Sequence, residues 1–251
     1  MRGFDINDLS DLGLNLLLYG EPGCGKTRFV ASVGELMYTL AVDVDNGFKT
    51  FRLVPPKWVE NIQPVKLDGF KDIDKLYKLA SANDPDKWSK ELGVEIKKPF
   101  EALAIDTWSE LNWEVKEEKR RLLGKDGKGS ITWRDNIQIQ DWGSIIDLNT
   151  LAIKHFCDLP INFVCTMHEI IKQDEVTKIV KGTPSINGKF AEEVGKYFDV
   201  LGHMAVSPQG KYVIETRATA RYQAKSRLAL DAKIEDPTLR KLMEAAGLHK
   251  S

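Results

Sequence analysis

The chain's 251 residues predict an α/β fold: a mainly parallel sheet flanked by helices, with an antiparallel hairpin at its edge. Three observations carry that expectation. Short apolar runs alternate with amphipathic stretches, the rhythm of strand–helix–strand units. The first apolar run breaks into a glycine-rich turn and passes directly into helix-forming residues. An apolar fraction of 42% beside 29% charged residues allows a sizeable core.

In order, strands are expected at Leu14–Tyr19, Thr39–Val42, Ile62–Val65, Ala102–Ile105 and Ile161–Thr166. Most are apolar along their length, as strands covered on both faces are. Val200–Val206 and Lys211–Arg217, joined by Ser-Pro-Gln-Gly, read as the edge hairpin. Helices are expected over Lys26–Met37, Ile73–Ala82, Trp108–Leu123, Trp142–Phe156 and Phe190–Phe198. Stretches at about 82–100 and 124–140 break the alternation and read as insertions or mobile loops. The division expected is a core over residues 1–230 and a helical tail over 231–251, capped near Asp236 and lying outside the core. Trp58, Trp88, Trp108 and Trp142 read as packing residues.

Charge and cysteine usage exclude several classes. With 36 basic and 37 acidic residues the chain has no overall affinity for polyanions or membranes, so any such surface is local. Cys24, Cys157 and Cys165 form no disulfide framework and suit a reducing compartment. The histidines and cysteines do not cluster at zinc spacing. No targeting signal and no membrane-length apolar run is present, so a cytoplasmic location without membrane partners is expected.

The turn itself is the most informative stretch. Gly20-Glu21-Pro22-Gly23-Cys24-Gly25-Lys26-Thr27 fits G-x-x-x-x-G-K-[ST], lying after a strand and before a helix as the mechanism requires. Such glycines let successive backbone N–H groups face inward, and the helix N-terminus adds positive dipole. A chance match in a chain this long occurs on the order of one time in a hundred. The bound anion is therefore expected to be a nucleoside triphosphate, ATP, cradled by Gly20 through Thr27 with Arg28 beside it. Lys26 reaches the terminal phosphates, and the Thr27 hydroxyl is placed to ligate Mg²⁺.

Hydrolysis further needs a held metal and an oriented water. The apolar run Ala102–Ile105 ends in Asp106, the expected second metal-site acid, which would also serve as an N-cap for the following helix. Several ATPase classes carry glutamate directly after that aspartate, but here Thr107 occupies the position. The strand ending "AVDVD" offers Asp43 and Asp45 instead. Asp45 is the candidate to orient water, Asp43 reads as structural, and Glu110 is the rival.

Taken together, "LLLYGEPGCGKT", "LAVDVDNG", "LAIDTW", "NFVCTMHE" and "QAKSRL", in that order, resemble the phage RecA-like P-loop ATPases found beside recombination and single-strand-annealing genes. These are similar in turn to the RecA/RadA core. The resemblance spans roughly Leu14 to Leu228. It implies a RecA-like core, DNA-dependent or DNA-stimulated ATP hydrolysis, and oligomeric action in recombination or replication. It further implies that the tip of the Ile161–Thr166 strand lies beside the phosphate loop, where His168 senses the γ-phosphate. Lys225 and Arg227, two apart after what reads as the last core strand, resemble the K-x-R finger that RadA-like and hexameric helicase ATPases insert into a neighbour's site.

Two segments are candidates for contact with single-stranded DNA. Lys116–Arg134 mixes seven basic residues with Ile131 and Trp133, an arrangement that can hold a backbone and stack a base. Ile170–Lys189 carries Lys172, Lys178, Lys181 and Lys189 where recombinases place a DNA loop, or else forms a plain β-hairpin. Two alternatives stand beside the DNA-stimulated oligomeric ATPase. One is a small-molecule kinase using Asp43 or Asp45 as base. The other is a non-hydrolysing module in which ATP is only a conformational switch or assembly cofactor. Under any of these readings a recombination or replication protein is a candidate partner.

Overall fold

The computed structural model describes residues 13–67, 69–124, 139–173, 178 and 180–248, with side chains left undescribed at 70, 117–124 and 139–142. The fold is α/β, and ten strands form one sheet among these residues. From one edge to the other run β10 (Lys233–Glu235), β8 (Tyr212–Glu215), β7 (Val200–Val206), β1 (Asn15–Gly20), β5 (Asn162–Gln173), β4 (Ala102–Asp106), β2 (Thr39–Asp43) and β3 (Ile62–Lys66). β6 (Val180–Pro184) pairs with the outer half of β5, and β9 (Lys225–Ser226) with the start of β7. The six strands from β7 to β3 are parallel.

Alternation along the central strands divides the core in two. Leu17, Tyr19, Leu40, Val42, Leu103 and Ile105 face one layer, which is filled by the rings of Trp108, Phe156, Phe163 and Phe198. Leu16, Leu18, Ala41, Ala102 and Ala104 face the other, where Phe29, Val30 and Val33 of α1 (Lys26–Val33) pack. Alanine on the α1 side lets that helix lie close to the sheet, while aromatic bulk holds the opposite layer farther off. α1 stops at Val33, and its C-cap Gly34 sits against the Trp58 carbonyl, where an added Cβ would be only 2.2 Å from the oxygen.

On the aromatic layer lie α3 (Ile73–Ala82), α5 (Trp108–Gly124) and α6 (Ile139–Cys157). The Trp108 indole donates to Asn149 Oδ1 at 2.9 Å, tying α5 to α6 inside the core. Trp58, Trp88 and Trp108 are all buried, as expected of packing residues.

Several expectations are corrected. Residues 82–100 hold α4 (Pro85–Leu92) and are packed into the core. Asp84 caps it by accepting the Asp86 and Lys87 N–H groups, Pro85 opens it, and Gly93 in the left-handed region ends it. Trp88 inserts edge-on against Phe100, whose backbone is clamped by both ends of the Asn83 amide. The expected hairpin forms as antiparallel β7 and β8 toward one end of the sheet, with one short strand beyond it. β7 lies parallel to β1, and the three-residue β10, too short to show a pattern, covers β8. The expected helix Phe190–Phe198 is α7 (Phe190–Glu193) followed by a 3₁₀ turn.

The C-terminal segment does not stand outside the core either. α8 (Leu239–Ala245) is capped by Thr238, close to Asp236 as expected, but it buries Leu239 and Leu242 in the α1 layer. Its Leu239 N–H donates to Ser32 Oγ of α1 at 3.0 Å. The segment 125–138, with the basic and aromatic residues expected there, lies outside the described residues.

Candidate functional site

The carboxyl ends of β1, β4, β2 and β5 meet at one side of the sheet, and a cleft of about 540 Å³ opens there. Parallel sheets commonly bind ligands at that edge. Lining the cleft are Pro22, Gly23, Gly25, Lys26, Thr27 and Arg28 from the turn, then Asp45, Asp106, His168 and Tyr212. The lysine, the two carboxylates and the histidine come from four separate elements, so the sheet order creates the site.

The turn is shaped by two glycines for different reasons. Gly20 lies against the β7 backbone, and a Cβ would stand 2.1 Å from the Met204 carbonyl oxygen. Gly25 holds φ at +97°, a left-handed geometry that side chains resist, and starts α1 with no side-chain cap. No acidic residue occupies the first turn of α1. Its leading N–H groups and dipole are therefore available to an anion from outside the chain.

Lys26 is buried, and its ammonium donates to the carbonyls of Gly20 at 2.8 Å and Glu21 at 2.9 Å. A buried cation must find such acceptors, and a phosphate oxygen is the stronger one. Cys24 turns away from the cleft into the α1 layer, where burial raises its thiol pKa above the ordinary value despite Lys26 nearby. It is a small filler. Glu21 is exposed and does not line this cleft. The Arg28 guanidinium lies 5.0 Å from the Trp58 ring and 5.6 Å from that of Tyr212.

Asp106 is only 2% exposed. Its Oδ1 accepts the Thr166 hydroxyl, and its Oδ2 is buried with no partner. Desolvation above all, with Asp45 adding repulsion, lifts its pKa to about 6. An orphaned, desolvated carboxylate beside a threonine hydroxyl is a donor set for a hard cation. The residues therefore fit Mg²⁺, which would take Thr27 and Asp106 as protein ligands. No group of three or more histidine, cysteine or acidic side chains that could by itself hold a metal ion occurs among the described residues, so phosphate and water would share the coordination.

Asp43 and Asp45 both turn back on the chain. Asp43 Oδ1 and Asp45 Oδ1 each accept the Gly47 N–H at 2.9 Å, closing the turn after β2. Asp43 is spent on that turn, but Asp45 also reaches the cleft. His168 stands opposite Gly20 in the β1–β5 register, so the tip of β5 lies beside the phosphate loop. Its N–H donates to Ser109 Oγ, its Nε2 lies 3.7 Å from Glu110 Oε1, and its Nδ1 is buried without a partner. Burial, then Lys26, lowers its pKa, so the ring is neutral near pH 7. Glu169, one residue on, points away to His203.

Lys225 and Arg227 are not brought to this cleft, and the strand holding Lys225 is followed by β10 rather than ending the sheet. Ser226 faces Val200, which faces Leu16, so the pair lies toward the amino ends of the strands. Arg227 donates to Asp199 and to the Lys196 carbonyl. Lys225 lines a separate groove with Lys172 and Lys181. Ile170–Lys189 contains the β5–β6 hairpin, with Lys172 opposite Lys181 across it. Sequence reasoning missed Tyr212, Trp58 and Gly47, which meet the turn only through the fold.

No helix among the described residues is long and apolar enough to cross a membrane. No curated protein matches the chain. A family model described as an AAA domain does match it over residues 12–228, from the β1 approach through β9. With that match over most of its length and a strand–loop–helix nucleotide cradle in place, the chain belongs to this AAA-domain family, whose fold implies nucleotide-binding ATPase activity.

Proposed function

We propose that the chain is a Mg·ATP-hydrolysing, RecA-like ATPase that works on single-stranded DNA in recombination or replication, of the phage type it resembles, as a homo-oligomer. The observation that carries this reading is the orphaned Asp106 Oδ2 beside Thr27 at the foot of the glycine-rich turn. In this reading Lys26 and the N–H groups of the turn hold the β- and γ-phosphates. Thr27 and Asp106 hold the cation, which when bound neutralises charge developing on the transferred phosphoryl group. The neutral His168 ring reads the γ-phosphate from the tip of β5, between Lys26 and Asp106. Arg28 and Tyr212 wall the side of the cleft.

Oligomeric action is supported by the ends at which charges lie. The cleft is at the carboxyl ends of the strands, whereas Lys225 and Arg227 lie toward the amino ends. Four residues of β1 separate the two levels, about 13 Å along the strand. A head-to-tail contact would bring one copy's pair to the next copy's γ-phosphate, and such contacts build rings or filaments. Contact with DNA is supported by the cross-strand Lys172 and Lys181 on the β5–β6 hairpin, which continues from the strand bearing His168.

Phosphate release measured with and without single-stranded DNA, over a range of protein concentrations, tests the reading. Turnover that rises with DNA and faster than linearly with protein is the expected result. Transfer to a small acceptor without DNA dependence would identify a kinase instead. Nucleotide-driven assembly without turnover would identify a switch.

A further inference from the structure

Position 47 carries no side chain, and the space this leaves is ringed by oxygen. A Cβ there would stand 2.8 Å from Asp45 Oδ1, 3.2 Å from Thr27 Oγ1 and 3.5 Å from Asp106 Oδ2. Three oxygens from the loop after β2, the first turn of α1 and the end of β4 thus surround one point. Among them Asp106 Oδ2 is a buried acceptor with no hydrogen-bond partner. The space is built rather than slack, because Gly47 N–H is held by both Asp43 and Asp45. The backbone does not demand glycine there, since its φ is not left-handed. What glycine supplies is room. Two carboxylates and a hydroxyl, oxygen throughout, are the ligand chemistry of a hard divalent cation.

Resting on the reading of the cleft as a Mg·ATP site, we propose that Asp45 gives the cation's coordination shell a third protein oxygen, directly or through a bound water. We propose equally that position 47 must lack a side chain for that shell to fit. Asp45 then belongs to the metal rather than to the attacking water. The polar pair left beside the γ-phosphate position is His168 with Glu110, 3.7 Å apart. Gly47 is a positioning residue, because it touches neither phosphate nor cation and acts by leaving space.

The test uses the full chain, with Mn²⁺ as the cation probe followed by electron paramagnetic resonance, and a fluorescent ATP analogue titrated in Mg²⁺ and in EDTA. In the wild type, Mg²⁺ tightens nucleotide binding. Gly47→Ala keeps the affinity seen in EDTA but loses the gain from Mg²⁺, and its Mn²⁺ affinity drops about tenfold or more. Asp45→Asn, which keeps an oxygen for the Gly47 N–H, loses Mn²⁺ affinity to a similar degree. It carries the decision should the alanine variant melt early. Mn²⁺ affinity unchanged in Asp45→Asn overturns the proposal and leaves the nucleotide site standing. A wild type that binds no nucleotide in either buffer overturns both.

Discussion

The Thr166 hydroxyl donates to Asp106 Oδ1 across β5 and β4, leaving Oδ2 buried and without a partner. One oxygen of the carboxylate is thus satisfied within the sheet, and the other faces the cleft. In metal-free buffer this has a measurable cost. The folded carboxyl titrates at about 6 and the unfolded one at 3.8, so the folded state holds the proton more tightly. Its contribution to stability is complete below about pH 4 and is lost as pH rises through about 6. Asp106→Asn in EDTA is expected to be more stable than wild type near pH 7, by up to about 3 kcal/mol, and equal to it near pH 4. Urea unfolding at both pH values measures this, and saturating Mg·nucleotide should reverse the order by stabilising only the wild type.

Lys26 spends its three protons on the turn it is meant to serve, through the Gly20 and Glu21 carbonyls and the Cys24 sulfur. Binding a triphosphate exchanges those acceptors for charged phosphate oxygens. Lys26→Ala should therefore keep its melting temperature nearly unchanged. Its nucleotide affinity should fall by about tenfold to a hundredfold, the worth of one charge-assisted hydrogen bond. Calorimetric titration of both proteins gives the ratio, and equal affinities would remove Lys26 from the site.

What the sequence made legible follows from burial. β1, β2 and β4 are covered on both faces, so their apolar runs stood out, and each ends within a residue of where it was expected. The expected β5 stopped at Thr166, because its outer half, through Lys172 and Gln173, is exposed and pairs only with β6. α4 carries Asp-Pro at its start and Gly93 at its end, but four charged residues in eight hid the single stripe that Trp88 anchors. In the cleft, the turn was legible because one contiguous motif does the work. The oxygens around Gly47 come from positions 27, 45 and 106, and only the register of β2 against β4, Asp43 opposite Asp106, brings them together.

Trp88 tests whether residues 82–100 belong to the core. Its ring is 2% exposed, packs on Phe100 and lies away from the cleft. Trp88→Ala should cost about 3–5 kcal/mol of unfolding free energy, the range for a buried aromatic. Nucleotide affinity measured below the melting transition should not change. A loss under about 1 kcal/mol would return this stretch to the status of a surface insertion.

Arg227 separates a shared site from a self-contained one. In the isolated chain it pairs with Asp199 at 3.0 Å and is more than half exposed, so removing it should alter stability by under about 1 kcal/mol. Its own phosphate cleft lies at the other end of the strands. Arg227→Ala should keep nucleotide affinity yet lose about a thousandfold or more in turnover, as a missing arginine finger does. Mixing then decides where the arginine acts. Lys26→Ala chains lack the lysine of the cradle but keep Arg227, and Arg227→Ala chains keep the cradle. If the finger works across an interface, an equimolar mixture of the two inactive proteins regains phosphate release, because some interfaces join an intact cradle to an intact arginine. Full activity in Arg227→Ala alone, or no recovery in mixtures shown by sedimentation to co-assemble, would place the arginine outside the catalytic machinery and leave its bond to Asp199 as its whole role.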